Sequence, residues 1–249
     1  MCGAELLAVP EGVQKVAALL QSKRHPHAPV MLDGAARTAQ QAADALGVGV
    51  GQIAKSIVFR RSRDDAAVLV VTSGDQRVDE KKLAALVCLD GKGLGRADAD
   101  FVKTTTGFSI GGVSPLALAT PVVVMIDRSL FRFEQIWAAA GHPHAVFHLA
   151  PADLVWLTGA PVEDVAVDST DLTLAQHTLA LLASRAQVIA SGGELTSPCI
   201  SVCRMGATTG LCEGCFRTRD EIAAWGGAGE AAKRATWARI QQRLVAPRA

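Results

Sequence analysis

The chain has 249 residues, 49% hydrophobic and 20% charged, with 25 Lys/Arg against 24 Asp/Glu. These proportions exclude a disordered polymer and a strongly basic nucleic-acid coat, and the length suffices to bury a core without disulfide staples. Residues 1–16 hold no basic n-region followed by a long apolar stretch, so no signal peptide is expected. Residues 172–190 are interrupted by Gln176, His177, Arg185 and Gln187, so no membrane span is expected, and the cytoplasm is the expected compartment.

In chain order, Val13, Val16, Ala17 and Leu20 fall at i, i+3, i+4 and i+7 and predict a helix over residues 11–24. Thr38 and Gln41 form a capping box for a second helix, which Gly47 stops. Residues 57–59, 68–71 and 122–126 are short apolar runs between charged, Gly or Pro residues, as strands of a buried sheet require. Asp79 caps a short helix bearing Leu83 and Leu86. Residues 145–149 read as another strand, and 151–158 as a helix with Pro151 in its first turn and Gly159 past its end. Lacking a regular βαβ period, the expected fold class is α+β, a mixed sheet with surrounding helices. Residues 169–196 read as a connecting helix and linker, with Ser191-Gly192-Gly193 as a flexible joint. From 197 to 249 there are eight Lys/Arg against four Asp/Glu, about +4, while the first 196 residues carry about −3. A separate small module is therefore expected over 197–245.

Common catalytic signatures are missing. There is no G-x-S-x-G elbow and no H-E-x-x-H, and the Gly-rich stretches at 47–51 and 91–95 read as loops. Lys55, in Gln52-Ile53-Ala54-Lys55-Ser56, stands beside the opening of an apolar strand, as a snorkelling surface cation or as a pocket charge. Ser73-Gly74-Asp75 leaves the second strand, and Met125-Ile126-Asp127 ends the third. Gly111-Gly112, ahead of Val113-Ser114-Pro115, serves either a tight turn or backbone N–H groups brought close to an oxyanion or phosphate. His25/His27 and His142/His144 are Pro-flanked pairs and, with His148, lack helical spacing, so surface or turn roles are expected rather than a metal site. Cys2 and Cys88 stand alone, Cys88 as a small core residue.

Cys199-x3-Cys203-x8-Cys212-x2-Cys215 places four thiols within 17 residues. Zinc fits such a set best, an iron–sulfur cluster is the rival, and free or disulfide-bonded cysteines are the alternative. Thr218-x-x-Glu221 caps a helix bearing Ile222 and Trp225. A last helix carries Trp237, Ile240 and Leu244 on one side and Lys233, Arg234, Arg239 and Arg243 elsewhere. So short a segment has little core of its own, and ligation would supply much of its folding energy.

Read in order, A-x-A-L-G-V at 43–48, Q-I-A-K-S at 52–56, V-V-T-S-G-D at 70–75, T-G-F-S-I-G-G-V-S-P at 106–115, I-D at 126–127, A-G at 140–141 and L-x-x-L-T-G-A at 154–160 resemble the YbaK/ProX family. These are free-standing trans-editing domains similar to the insertion domain of bacterial prolyl-tRNA synthetase, and the resemblance covers residues 11–168. It implies hydrolysis of the ester joining a wrong, small amino acid to the 3′-terminal ribose of a tRNA, typically that for proline, with no cofactor. Prolyl-tRNA synthetase is the protein partner it brings with it, and neither DNA nor membrane is expected as one. Lys55 would hold the substrate and stabilise the oxyanion, Gly111 and Gly112 would supply backbone donors, and Gly74, Asp75, Ser114 and Asp127 would line or support the pocket. Residues around Met31, Thr38 and Phe59 would set which amino acid enters. An aminoacyl ester is already activated, so positioned water or the substrate's own side chain can attack. S-P-C-I-S-V-C at 197–203 and G-L-C-E-G-C-F-R-T-R-D-E-I-A-A-W at 210–225 resemble a small Cys-rich domain of unknown function, DUF1289, whose basic residues would help hold tRNA. The rival reading is a non-catalytic tRNA-binding or regulatory module with a metal- or redox-sensing tail.

Overall fold

The structure, a computed structural model, describes residues 9–88, 93–167, 174–200 and 203–245. Cys2, the N-terminal segment, Gly91-Lys92 of the 91–95 loop and the start of the connecting segment lie outside the described residues. In chain order the strands are β1 (Val30–Met31), β2 (Ile53–Arg61), β3 (Ala66–Ser73), β4 (Leu94–Arg96), β5 (Val123–Asp127), β6 (Ile136–His142), β7 (Ala145–Leu149) and β8 (Val162–Glu163). The helices are α1 (Glu11–Ser22), α2 (Ala39–Leu46), α3 (Glu80–Val87), α4 (Ala99–Thr106), α5 (Pro151–Thr158), α6 (Leu174–Ala190), α7 (Arg219–Ala224) and α8 (Glu230–Val245). The strands form one mixed sheet in the order β1-β7-β6-β2-β3-β5-β8, with β4 paired to β2. The hairpins β2–β3 and β6–β7 are antiparallel, and β2–β6, β3–β5 and β5–β8 are parallel.

Side chains alternate across a strand, so β3 shows how both faces are covered. Ala67, Leu69 and Val71 enter one core with α1, α4, α5, α6 and α8, whereas Val68 and Val70 enter another with Phe59 and Leu83. Burial on both faces explains why β3 reads as an unbroken apolar run. Helix α1 lies close on β6: a Cβ on Gly12 would come 2.4 Å from the Gly141 carbonyl oxygen. Local capping follows the sequence. Thr38 Oγ1 accepts from Gln41 N–H at 3.2 Å while Gln41 Oε1 accepts from Thr38 N–H, and Gly47 and Gly159 end their helices left-handed.

The tail packs its last helix against the rest of the chain. Trp237, Ile240 and Leu244 on α8 belong to the same core as α1, α5 and α6. Trp237 Nε1 donates to the Thr196 carbonyl at 2.8 Å, and Arg234 Nη1 to that of Ile189 at 3.0 Å. Ser191-Gly192-Gly193 closes α6, its amides donating to the carbonyls of Gln187, Ile189 and Val188. Part of the tail's basic charge is paired within it. Arg204 pairs with Glu213, Arg234 with Glu230, and Arg239 and Arg243 both with Glu221. Arg217 is 3% exposed.

Glu221 is the hub of α7 and α8. Burial favours its neutral form, yet Arg243, the Thr218 amide and Arg239 outweigh that and hold its pKa at about 2. A carboxylate depressed in this way stabilises the fold fully above its unfolded pKa near 4.5, and the contribution disappears as pH falls toward 2. Glu221→Gln is therefore expected to cost about 2–3 kcal/mol at pH 7 and almost nothing near pH 2, measured by denaturant melts across that range.

Candidate active site

A break in strand pairing creates the site. On the side away from β3, β2 pairs with β6 only at Ile53 and Ala54, and with β4 only from Phe59 to Arg61. Between these contacts β2 borders a cleft of about 290 Å³. Thr38, Ala39 and Ala42 of α2 form one wall, Trp137, Ala139 and Val146 another, and Ile110, Gly111 and Val113 close it from above, beside His142-Pro143. Most of this lining is small and apolar. A second hollow of about 600 Å³, flanked by Lys15 and Lys103, meets the cleft at His142 and Pro143.

Lys55 lines the cleft half-buried, and its ammonium donates to the carbonyls of Gly74 at 3.0 Å and Gln76 at 2.6 Å. An ammonium has three donors, so one remains for a ligand. Burial lowers its pKa and the neighbouring Asp75 opposes that shift. Asp75 itself sits at the β3 exit: burial raises its pKa, but Arg132 at 2.6 Å and the Ser73 hydroxyl at 2.7 Å outweigh burial and keep it low. Gly74 lets this corner close on the 50–52 turn, since a Cβ there would meet the Val50 carbonyl oxygen at 2.2 Å. Gly74 and Gln76 thus fasten the Lys55 ammonium, and the Asp75 carboxylate adds a nearby opposite charge.

The other expected residues separate. Gly111, at φ +91°, lines the cleft, but the Gly112 N–H donates to the Ser109 carbonyl at 2.9 Å and is not free for an oxyanion. Gly112 instead allows close approach, because a Cβ would stand 2.7–2.9 Å from His142 and Pro143. Thr38 lines the cleft with its hydroxyl engaged in capping α2. Phe59 is fully buried where β4 has closed the sheet edge, outside the cleft lining, and Met31 is 50% exposed on the sheet's outer strand. Ser114 and Asp127 are fully buried supports. Ser114 Oγ accepts from the Leu116 amide at 3.1 Å, and the Asp127 carboxylate accepts from the amides of Ser129 and Val165, each at 3.0 Å. Trp137 and Arg37, which also line the cleft, had no sequence signal, and His142, expected only in a surface or turn role, joins them there, because only the β6–β7 hairpin and the loop before α2 bring them together.

The four tail cysteines line one small cavity of about 30 Å³ with Arg217 and Ile222. Cys199, Cys203, Cys212 and Cys215 form no disulfide, and Arg217 Nε donates to Cys215 Sγ at 3.3 Å. Among the described residues no three His, Cys, Asp or Glu side chains are drawn together at metal-binding geometry. The three histidines 25, 27 and 148 do cluster, with the His27 and His148 rings 3.7 Å apart and His148 against Trp137. No described helix is long and apolar enough to cross a membrane.

Residues 33–157 match the aminoacyl-tRNA editing domain. The chain belongs to that family. Residues 197–244 match a second family, described as a protein of unknown function, DUF1289. YwhH of Bacillus subtilis (strain 168) is 36% identical over 117 residues, covering 47% of this chain and 72% of its own. EbsC of Enterococcus faecalis, described as a candidate Cys-tRNA(Pro)/Cys-tRNA(Cys) deacylase, is 26% identical over 51% of this chain and 76% of its own. A proline–tRNA ligase of Thermoanaerobacter sp. (strain X514) is 27% identical over 94 residues, 38% of this chain and 16% of the ligase. Among solved structures, a candidate trans-editing enzyme for prolyl tRNA synthetase superposes with a TM-score of 0.59 at 36% identity, covering 65% of this chain and all of that one. The editing domain thus accounts for the mixed sheet and its cleft, while α6, α8 and the Cys-rich segment lie largely beyond the matched region.

Proposed function

We propose that the chain is an aminoacyl-tRNA deacylase, which removes a small wrong amino acid from the 3′ end of tRNA for proline in the cytoplasm. One observation carries this reading: a half-buried lysine, fixed by two backbone carbonyls, keeps a donor at a mostly apolar cleft. The ester carbonyl, polarised there, takes water; the carbonyl π electrons move onto oxygen, the tetrahedral intermediate collapses, and the ribose 3′-oxygen leaves with a proton from that water. Lys55 stabilises the oxyanion without forming a bond to it. Small lining residues favour small amino acids, the sieve used in editing. Purified protein given tRNA for proline charged with Ala, Cys, Ser, Thr or 2-aminobutyrate is expected to release the small amino acids and to spare prolyl-tRNA. Release no faster than the buffer blank for every ester would remove the reading.

A second proposal concerns the tail. Four thiols round one small cavity supply the donor set of a structural tetrathiolate site, which zinc suits best. Cys199, Cys203, Cys212 and Cys215 would hold the ion. Elemental analysis is expected to find about one zinc per chain, and a strong chelator to lower the melting temperature. Metal-free protein that melts identically would refute a structural ion.

A further inference from the structure

The interval in strand pairing exposes backbone groups of one residue in particular. Along this edge the even-numbered positions of β2 turn their backbone outward: the Val58 carbonyl accepts from Ala97 N–H at 3.2 Å, and Ser62 N–H donates to the Gly93 carbonyl at 2.6 Å. Ala54 is paired with β6. Ser56, between Ala54 and Val58, therefore directs both its N–H and its C=O into the interval, where neither β6 nor β4 is registered against it. It is half-buried and lines the cleft. Sheltered backbone groups in folded proteins find partners, and here the neighbouring strands provide none.

In an antiparallel ladder, two facing residues exchange a pair of N–H···O=C bonds. An aminoacyl ester carries the same complementary groups in the same order as one backbone residue: an α-ammonium donor, a Cα and a carbonyl acceptor. We propose that the aminoacyl group docks on Ser56 as a one-residue addition to the sheet. Its α-ammonium donates to the Ser56 carbonyl, and its ester oxygen accepts from the Ser56 amide. This deepens the deacylase reading and rests on it. Two consequences follow from the geometry. The Ser56 amide, at the cleft that Lys55 also lines, takes the oxyanion role that the engaged amide of Gly112 cannot fill. The substrate class also narrows to esters with a free α-ammonium, so that N-blocked and deaminated acyl-tRNAs are poor substrates whatever their side chain.

The test compares alanyl-tRNA with propionyl-tRNA, which has the same carbon skeleton without the amino group and so meets no new steric barrier. Each enzymatic rate is divided by that ester's own spontaneous rate, because the ammonium also activates the ester in water. Loss of a hydrogen bond from a charged donor is expected to reduce the acceleration about 10- to 100-fold. Ser56→Pro removes the amide without breaking a ladder bond, and a protein that melts like wild type should lose acceleration on alanyl-tRNA to a similar extent. Equal acceleration of the two esters, or undiminished activity of folded Ser56→Pro, would overturn the proposal while leaving the deacylase reading intact. Inertness toward every aminoacyl ester would overturn both.

Discussion

Lys55→Ala should abolish most deacylation, lowering kcat/KM about 100- to 1000-fold, the usual loss when one preorganised oxyanion donor is removed. The stem and the charge both lie at the cleft, and the ammonium is already oriented by Gly74 and Gln76, so no other lining residue can assume its position. Lys55→Met separates the two contributions by keeping the apolar stem and losing the charge, and it should be as inactive as the alanine variant. Each variant leaves two carbonyls without a donor, and circular dichroism with thermal melting verifies that the fold persists. The pH profile gives a second readout. Burial lowers the pKa of Lys55, so the charged form is lost at a lower pH than for an ordinary lysine. The ratio of wild-type to Lys55→Met activity should accordingly narrow as pH rises, beginning below the normal lysine range. A Lys55→Met enzyme of wild-type rate would place the chemistry elsewhere.

The second large effect concerns the tail. Trp237 is 1% exposed, its ring is shared with the core of α5 and α6, and its Nε1 donates to Thr196. Trp237→Ala removes a buried aromatic ring and leaves the Thr196 carbonyl without that donor, at an expected cost of about 3–5 kcal/mol. For a chain of this size the melting temperature should drop on the order of 10 °C. Because Trp237, Leu154 and Leu182 occupy one continuous core, calorimetry should show a single shifted transition, and heat inactivation of deacylation should move with it. Two transitions, of which only the smaller moved, would mean that the tail folds by itself.

The parts of the fold legible in the sequence were those decided over a few residues. Capping at Thr38, Asp79 and Thr218, and the left-handed stops at Gly47 and Gly159, depend on local backbone amides and carbonyls and stand where their spacing puts them. The 145–149 strand was equally plain. Strand β6, Ile136-Trp137-Ala138-Ala139-Ala140-Gly141-His142, has little β-branched character, and its extended form depends on its neighbours β7 and β2. Helix α4 contains three consecutive threonines and is maintained by its Asp98 cap and by burial of Val102 and Thr106. In the cleft, Lys55 and Gly111 follow from short motifs. The roles of Phe59 and Gly112 turn on where β4 ends and on which amide the turn engages, and neither is written in local spacing. The composition changes at about residue 197, where the second family match begins, but that the apolar stripe of α8 packs with α6 rather than with the cysteines beside it is not written in composition.

That shared core has a consequence for the order of events during synthesis. The editing domain's family match ends at residue 157, but the last core side chain contributed by α8 is Leu244. The sheet and cleft can assemble as they leave the ribosome, while the surfaces of α5 and α6 that receive α8 stay wet until more than fifty further residues have emerged. Completion of this core is thereby tied to synthesis of the Cys-rich segment, and a nascent chain stalled between residues 190 and 230 would present an apolar face to chaperones.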